Sequence, residues 1–502
     1  MESLDDNSSI PSRPTQPSLK IQAARGVLWN FVGRFGQQGI QLVVTIVLAR
    51  LLLPEDFGLI GLLTVFIAVS NAISDGGFGK SLIQKKDVDH LDQSSMFFFN
   101  LSVSTLLWLV LFFAAPLVAW IYQADELIWL LRIVGLNVII AALSMVQFNA
   151  LTRTMDFRAL LVANWTATVV SGVVGIGMAL TGYGVWSLVG QMISMQFVRT
   201  AALWGLNPWR PTWAFSWQRL GQMLPFGSNL LFSAVLDAIY QNLFLVVIGL
   251  YHSKAQVGYY RQAHSLQSLP MGNFLLAINH VMFPAFARLQ DDPKRLKRGL
   301  RHTFRLTTFL IMGFMLLLMV VADPLIPVLM SDKWRPAIPY LQLLCLVGIL
   351  VPLQSANMNA FRAIGRSDVV LRLQLIRKSL TLLAVVLTAQ WGVEAMIVGQ
   401  IVSLVVCYLI VGFVSKQLLN YSNWEQFQDL SGSLLVAILA ALVAHLVGLF
   451  VPNDWVKLGF QVVAGAATYL VAAWATRLPA FAQGSELARS VLTGRRREVE
   501  AI

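Results

Sequence analysis

Apolar runs of about 20 residues alternate with short polar or Gly/Pro-containing breaks along almost the whole chain, and about 20 apolar helical residues cross the hydrocarbon core of a bilayer. Marking these runs predicts fourteen helices, over roughly 27–49, 57–79, 94–115, 129–150, 159–181, 183–204, 223–250, 257–286, 303–322, 336–359, 371–390, 393–414, 431–450 and 456–475. The connections are short, and none could hold a folded soluble domain. The expected fold is an all-α polytopic membrane protein of about 14 transmembrane helices. Residues 1–20 depart from the pattern: they are polar, contain three prolines and have no apolar core. They read as a disordered cytoplasmic tail rather than a signal peptide or a span.

Shifting the chain against itself reveals a repeat. At an offset near 208, Ala115-Pro-Leu-Val118 lies over Asp323-Pro-Leu-Ile326, at the ends of spans 3 and 9. Gly184-Val-Trp-Ser-Leu-Val-Gly-Gln191 lies over Gly392-Val-Glu-Ala-Met-Ile-Val-Gly-Gln400 with one extra residue, and Asn149-Ala150 matches Asn359-Ala360. At an offset near 200, Phe57-Gly58 meets Val257-Gly258 and Gln41 meets Gln241. The expected organisation is an N-terminal six-helix lobe (21–222), a C-terminal six-helix lobe (223–430), two added helices (431–475) and a basic cytoplasmic tail (476–502). Six spans is an even number, so the lobes run in the same sense across the membrane. A pseudo-two-fold axis then lies along the membrane normal, with a site enclosed between two halves that rock.

Composition strengthens this reading and excludes others. Hydrophobic residues make up 57% of the 502, charged residues 12%, and mean hydropathy is +0.67. A soluble domain carries about a quarter charged residues. The net charge of +12 suggests nucleic acid until the cations are sorted by side. With the N-terminus in the cytoplasm, 28 of the 37 Lys and Arg fall in inner segments and six at outer ends: Arg50, Arg132, Lys254, Lys333, Arg335 and Lys457. Three more, Arg34, Arg199 and Arg261, fall within spans. That bias is the positive-inside pattern of an even-spanning protein with both termini inside. No nucleic-acid partner is expected, because no folded module accompanies the charge. The densest inner block, Arg288 to Arg301, contains Asp292-Pro293, a capping carboxylate followed by a first-turn proline. A helix starting there either offers Lys294, Lys297, Arg298 and Arg301 to anionic membrane lipids at the inner face or simply sets orientation. Cys345 and Cys407 sit in apolar runs and read as core residues, so neither a disulfide framework nor a thiolate metal site is expected.

Polar residues inside spans are costly unless they face a cavity or a partner. Span 1 carries Asn30, Arg34, Gln37, Gln38, Gln41 and Thr45 along one helical face, and span 7 carries Asn229, Ser233, Asp237, Tyr240 and Gln241 along another. Such stripes either line one hydrated cavity or cement helix contacts. Arg34 and Asp237 would need each other or water. Span 8 adds Arg261, His264, Ser265 and Ser268 before Pro270-Met-Gly272, where a break could form a hinge or a site. Arg132 would snorkel to the outer surface. Tryptophans gather near span ends, as in an interfacial belt. The sequence contains no GxxxxGK[ST], HExxH or GxSxG motif, and no long outer loop bearing paired carboxylates.

Several runs are similar to those of bacterial polysaccharide flippases. They are Arg25-Gly-Val-Leu-Trp-Asn-Phe-Val-Gly-Arg-Phe-Gly36, Leu48-Ala-Arg-Leu-Leu-Leu-Pro-Glu-Asp-Phe-Gly-Leu-Ile60, Asp75-Gly-Gly-Phe-Gly79, Leu82-Ile-Gln-Lys-Lys86, Gly182-Tyr-Gly-Val-Trp-Ser-Leu188, Gly258-Tyr-Tyr260, Leu269-Pro270 and Phe283-Pro-Ala-Phe-Ala-Arg-Leu-Gln-Asp-Asp292. Over residues 20–420 the chain resembles the colanic-acid-exporter-like branch of the multidrug/oligosaccharidyl-lipid/polysaccharide exporter superfamily. The resemblance implies a transporter of the bacterial cytoplasmic membrane, not an enzyme. It would turn an undecaprenyl-diphosphate-linked oligosaccharide from the inner to the outer leaflet by alternating access, alongside other polysaccharide-assembly proteins. No cofactor is implied; some relatives use an ion gradient, and Asp237 is the candidate site for proton or sodium coupling. A diphosphate calls for guanidinium partners, for which Arg34 and Arg261 are placed, and sugars call for amides and hydroxyls, which the Gln37, Gln38, Gln41, Asn229 and Gln241 stripes offer; His264 is a further candidate for the cavity wall. Alternatives are another cargo on the same fold, such as a drug or a peptidoglycan precursor, and a membrane polysaccharide polymerase.

Overall fold

The computed structural model describes residues 19–75, 88–289 and 292–483. Among them every regular element is helical. The helices are α1 (Leu19–Leu51), α2 (Pro54–Asp75), α3 (His90–Tyr122), a broken segment α4–α6 (Glu126–Val134, Leu136–Ala142, Met145–Arg153), α7 (Phe157–Leu180), α8 (Val185–Leu206), α9 (Trp217–Gln241) leading into α10 (Leu243–Tyr251), α11 (Lys254–Arg288), α12 (Pro293–Met330), α13 (Ile338–Ala363), α14 (Ser367–Thr388), α15 (Val393–Leu419), α16 (Asn423–Leu449) and α17 (Asp454–Ala475). Eight of them are long and apolar enough to cross a membrane unaided, and two bent segments, α4–α6 at 40° and α9–α10 at 45°, bring the number to ten. The remaining four, α1, α8, α11 and α14, are 33, 22, 35 and 22 residues long. These carry the polar stripes and in-helix cations that lower their apolarity.

Helix starts follow local chemistry. Asp89, Ser253 and Ser422 each accept from a first-turn amide and complete a capping box with Asp92, Gln256 and Glu425. The expected start at Asp292-Pro293 is present: the carboxylate accepts from the amides of Arg295 and Lys294, which hold it below the usual carboxylate range. The helix beyond it starts ten residues ahead of the expected span 303–322. It runs 38 residues without a stop and becomes span 9 itself.

The repeat is visible in the backbone. Pro116 lies inside α3 and Pro324 inside α12. Gly184 and Gly392 both cap the following helix with positive φ, +54° and +105°, a conformation that favours glycine. The contact between α2 and α11 is itself two-fold. A Cβ on Gly58 would lie 1.8 Å from the carbonyl oxygen of Lys254, and a Cβ on Gly258 would lie 2.0 Å from that of Pro54. Adding 200 to Gly58 gives Gly258 and subtracting 200 from Lys254 gives Pro54, so exchanging the two halves turns one contact into the other, the mark of a contact on a pseudo-symmetry axis.

The connections α1–α2, α3–α4, α10–α11, α12–α13, α14–α15 and α16–α17 are tied together at one end of the bundle, here the distal end. Trp334 is fully buried there, donates from Nε1 to Ala49 O at 2.8 Å and meets Phe57 edge-on at 5.3 Å. Helix C-termini expose unpaired carbonyls, and at this end they are capped by cations from elsewhere. Arg50 donates to the carbonyls of Leu329 (2.8 Å) and Val328, and Lys333 donates to Arg50 O at 2.7 Å. His252 Nε2 lies 2.8 Å from Ala389 O. All six outer cations of the charge count have partners: Lys254 pairs with Glu126, Arg335 with Asp332 and Asp454, and Lys457 with Asp323. Arg132, expected to snorkel, instead covers the Phe112 ring at 4.3 Å and donates to Phe112 O.

The basic block is also engaged. Lys297 pairs with Glu425, and Arg301 and Arg305 converge on Asp429, whose side chain is 2% exposed and also accepts from Tyr421 Oη at 2.8 Å. The block therefore fastens α16 to α12 through Lys297 and Arg301, leaving Lys294 and Arg298 on the exposed face. Acidic residues 128 positions away in the chain supply the partners, so adjacent sequence carries no sign of them. Cys345 and Cys407 are free and buried.

Candidate functional site

Helix α1 packs on α7 and α12, and Gln38, Gln41 and Thr45 of its polar stripe share a cavity with α11. That cavity, of about 70 Å³, is lined by Gln38, Gln41 and Thr45 of α1 and Gln262 and Ser265 of α11, with Leu269 and Met330 closing one side. The spacing i, i+3, i+7 from Gln38 and i, i+3 from Gln262 puts each set on one helical face. Gln41 Oε1 and Gln262 Nε2 are buried and have no hydrogen-bond partner. One unpaired acceptor and one unpaired donor thus belong to residues that line a space with room for a few waters or a hydroxyl group. An unpaired buried amide costs about 1–3 kcal/mol, which a polar ligand reaching this point would recover.

The sequence-predicted residues divide into three groups. Gln38 and Gln41 line the cavity, and Arg34 follows on the same face, one turn nearer the terminal end of α1 and exposed. Gln37 is half-buried. Arg261 lies toward the distal end and donates from Nη1 to Phe57 O at 3.2 Å, joining α11 to α2. By helix rise, Arg34 and Arg261 are about 14 Å apart in depth, on either side of the cavity. In this conformation Arg261 is engaged with the α2 backbone while Arg34 is exposed on the other side of the cavity.

The span 7 stripe does not meet the span 1 stripe. Helix α9 packs on α2 and α3, and its Asp237 carboxylate receives Lys378 Nζ of α14 at 2.5 Å, with the ammonium 5.5 Å from the Tyr240 ring centre. The partner of Asp237 is therefore Lys378, not Arg34. Ser233 and Gln241 are exposed. His264 is exposed and stacks on Tyr260 at 5.9 Å, which in turn stacks on Phe244 at 5.3 Å. The side chains of Asn30 and Asn229 lie outside the described residues, as does Asn273. Helix α11 passes through Pro270 and Gly272 as one helix, so the expected break is not a break in secondary structure.

Sequence reasoning missed Gln262, although it stands one residue from Arg261 and three from Ser265. It also counted Arg377 and Lys378 as flanking cations. In the structure α14 begins at Ser367, which places both about three turns inside the helix.

The model of the family described as "Polysaccharide biosynthesis protein" matches residues 47–339, from the last turn of α1 through the distal seal to the start of α13. The chain belongs to this family. It is 30% identical to the succinoglycan biosynthesis transport protein ExoT of Rhizobium meliloti (strain 1021), over 89% of this chain and 92% of that protein. It is 26% identical to the lipopolysaccharide biosynthesis protein WzxC of Escherichia coli (strain K12), over 82% and 84%. Identity to the teichuronic acid biosynthesis protein TuaB of Bacillus subtilis (strain 168) is 25%, over 90% and 95%. Among solved structures, the fold resembles the lipid II flippase MurJ in an inward closed conformation, with a TM-score of 0.73 at 15% identity, covering 89% of this chain and 98% of that one. It also resembles an inward-facing multidrug resistance MATE family transporter of the MOP superfamily, with a TM-score of 0.58 at 16% identity, covering 79% and 95%. The family member described here therefore has a transporter fold, and it is a multi-pass membrane protein.

Proposed function

We propose that this protein flips an undecaprenyl-diphosphate-linked oligosaccharide repeat unit across the bacterial cytoplasmic membrane by alternating access, for exopolysaccharide, capsule or O-antigen synthesis. The observation that carries the proposal is the cavity between α1 and α11, with its unpaired Gln41 and Gln262 amides beside a two-fold seal. Amides and hydroxyls suit sugar hydroxyls. Arg34 on the terminal side and Arg261 on the distal side suit a diphosphate at successive stages of its passage. Family membership and the names of ExoT and WzxC support a polysaccharide-pathway cargo.

In this reading all fourteen helical segments cross the membrane, in two six-helix lobes and an added pair, and both termini are cytoplasmic. The distal seal then faces the outside, and the conformation is inward-facing. Coupling to a proton or sodium gradient would act through Asp237, whose neutralisation releases Lys378. Anionic lipids would meet Lys294 and Arg298 at the inner face. The test is complementation of a strain lacking its own repeat-unit flippase. Polymer export should be restored by the wild type and strongly reduced by Arg34→Ala and by Arg261→Ala at normal protein levels. Full export by both variants would remove the arginines from the substrate path. Rescue of a strain lacking its lipid II flippase, without rescue of the polysaccharide strain, would change the cargo.

A further inference from the structure

A larger polar cavity, with charged walls, stands away from the one between α1 and α11. It lies within the C-terminal half, among the terminal-end parts of α13, α14 and α15, and has a volume of about 200 Å³. Its polar walls are Gln354, Ser355, Asn359 and Arg362 of α13 and Gln374 and Arg377 of α14. Two guanidinium groups face this space, and no carboxylate lines it. None of its lining residues belongs to the α1–α11 cavity.

The two arginines differ in setting. Arg362 is exposed at the end of α13 and is steadied by donating from Nη1 to Asn359 Oδ1 at 3.2 Å. Arg377 lies about 15 Å along α14 from its first residue, and its Nε is buried with no acceptor. A cation this deep in a spanning helix is expensive unless it is paired or serves a ligand. The nearby amides do not supply the partner: Gln354 donates to Leu404 O at 3.0 Å, and Asn359 accepts from Arg362.

The repeat offers an internal comparison. The N-terminal counterpart of Asn359-Ala360 is Asn149-Ala150, beside Arg153 on α6. At the offset of 208–210, the position of Arg377 falls at Ala167 to Val169 of α7, where no charge stands. The second arginine therefore has no charged counterpart in the N-terminal half.

We propose that this pocket binds a phosphoryl oxyanion, held between Arg377 at its base and Arg362 at its mouth. Guanidinium forks match phosphate oxygens, and a phosphoryl oxygen would give the stranded Arg377 Nε its acceptor. Such a group could arrive on a phospholipid headgroup, on a polyprenyl diphosphate or as a free anion. The pocket stands apart from the proposed transport path, and its test does not depend on transport.

The test uses the full-length protein in phosphatidylcholine nanodiscs and measures binding of three probes: inorganic pyrophosphate, short-chain phosphatidylglycerol and undecaprenyl diphosphate. At least one should bind the wild type ten-fold or more tightly than Arg377→Gln. Arg377→Lys should keep part of the affinity, and Arg158→Gln, at an exposed arginine opening α7, should keep all of it. The probe that shows the difference identifies the source of the phosphoryl group. Should Arg377→Gln fail to fold, Arg362→Gln, at an exposed position, is expected to show the same loss. If no probe binds, or if wild type and variants bind all three equally, the proposal is wrong.

Discussion

Replacing Gly58 with alanine would place a methyl group 1.8 Å from the carbonyl oxygen of Lys254, where real Cβ contacts essentially never fall below 3.0 Å. The obstructing atom is helix backbone, so no rotamer change relieves the clash. Helices α2 and α11 would have to part by about 1.2 Å at the distal seal. Overpacking of this kind costs about 1–3 kcal/mol, and only in the sealed conformation, so the population of that conformation should fall about 5- to 150-fold. Spin labels at positions 126 and 254, with Cys345 and Cys407 replaced by alanine, would report the separation by double electron–electron resonance. The labels remove the Lys254–Glu126 pair, but that pair is largely exposed and worth at most about 1 kcal/mol. The expected result is a new population at longer distance, with a matching change in polymer export. Gly39→Ala is the control, because a Cβ there has nothing within 4 Å. An unchanged distance distribution and unchanged export in Gly58→Ala would show that the α2–α11 contact is not what closes this end.

Three further outcomes are expected. Trp334→Phe keeps a ring beside Phe57 but strands the buried Ala49 carbonyl; it should cost about 1–3 kcal/mol, read as a lower melting temperature in detergent, while Trp334→Ala should cost about 3–5 kcal/mol. Asp429→Asn leaves Arg301, Arg305 and Tyr421 facing a neutral amide and should cost about 3–5 kcal/mol, with protease cleavage appearing first around α16. The Asp237–Lys378 pair is half exposed, so Asp237→Asn should change stability by no more than about 1 kcal/mol; it should nevertheless remove any dependence of export on the ion gradient. Gradient-dependent export that survives in Asp237→Asn would take the coupling role away from this residue.

Much of this protein is legible in one dimension, because the signals concerned are local. Helix existence follows from apolar runs, and a helix start from a cap such as Asp292-Pro293. The repeat could be read from positions such as Gly184 and Gly392, whose positive φ restricts them to residues tolerant of the left-handed region. The stripe on span 1 was also visible, since a 3.6-residue period needs no partner to be recognised.

What only the tertiary structure decided is which polar groups meet. Gln41 faces Gln262 and Ser265 on α11, not the stripe on α9. Asp237 meets Lys378, Asp429 gathers Arg301 and Arg305, and Arg377 is left with an orphan nitrogen. A periodic stripe specifies a face but not the helix opposite it, and partners here lie more than 100 residues apart in the chain. The charge count shows the division most plainly. The expected inner majority of cations was assigned from the alternation of spans alone, without any fold. The outer six each have a role set by a specific neighbour, and only packing at the distal end brings those neighbours within reach.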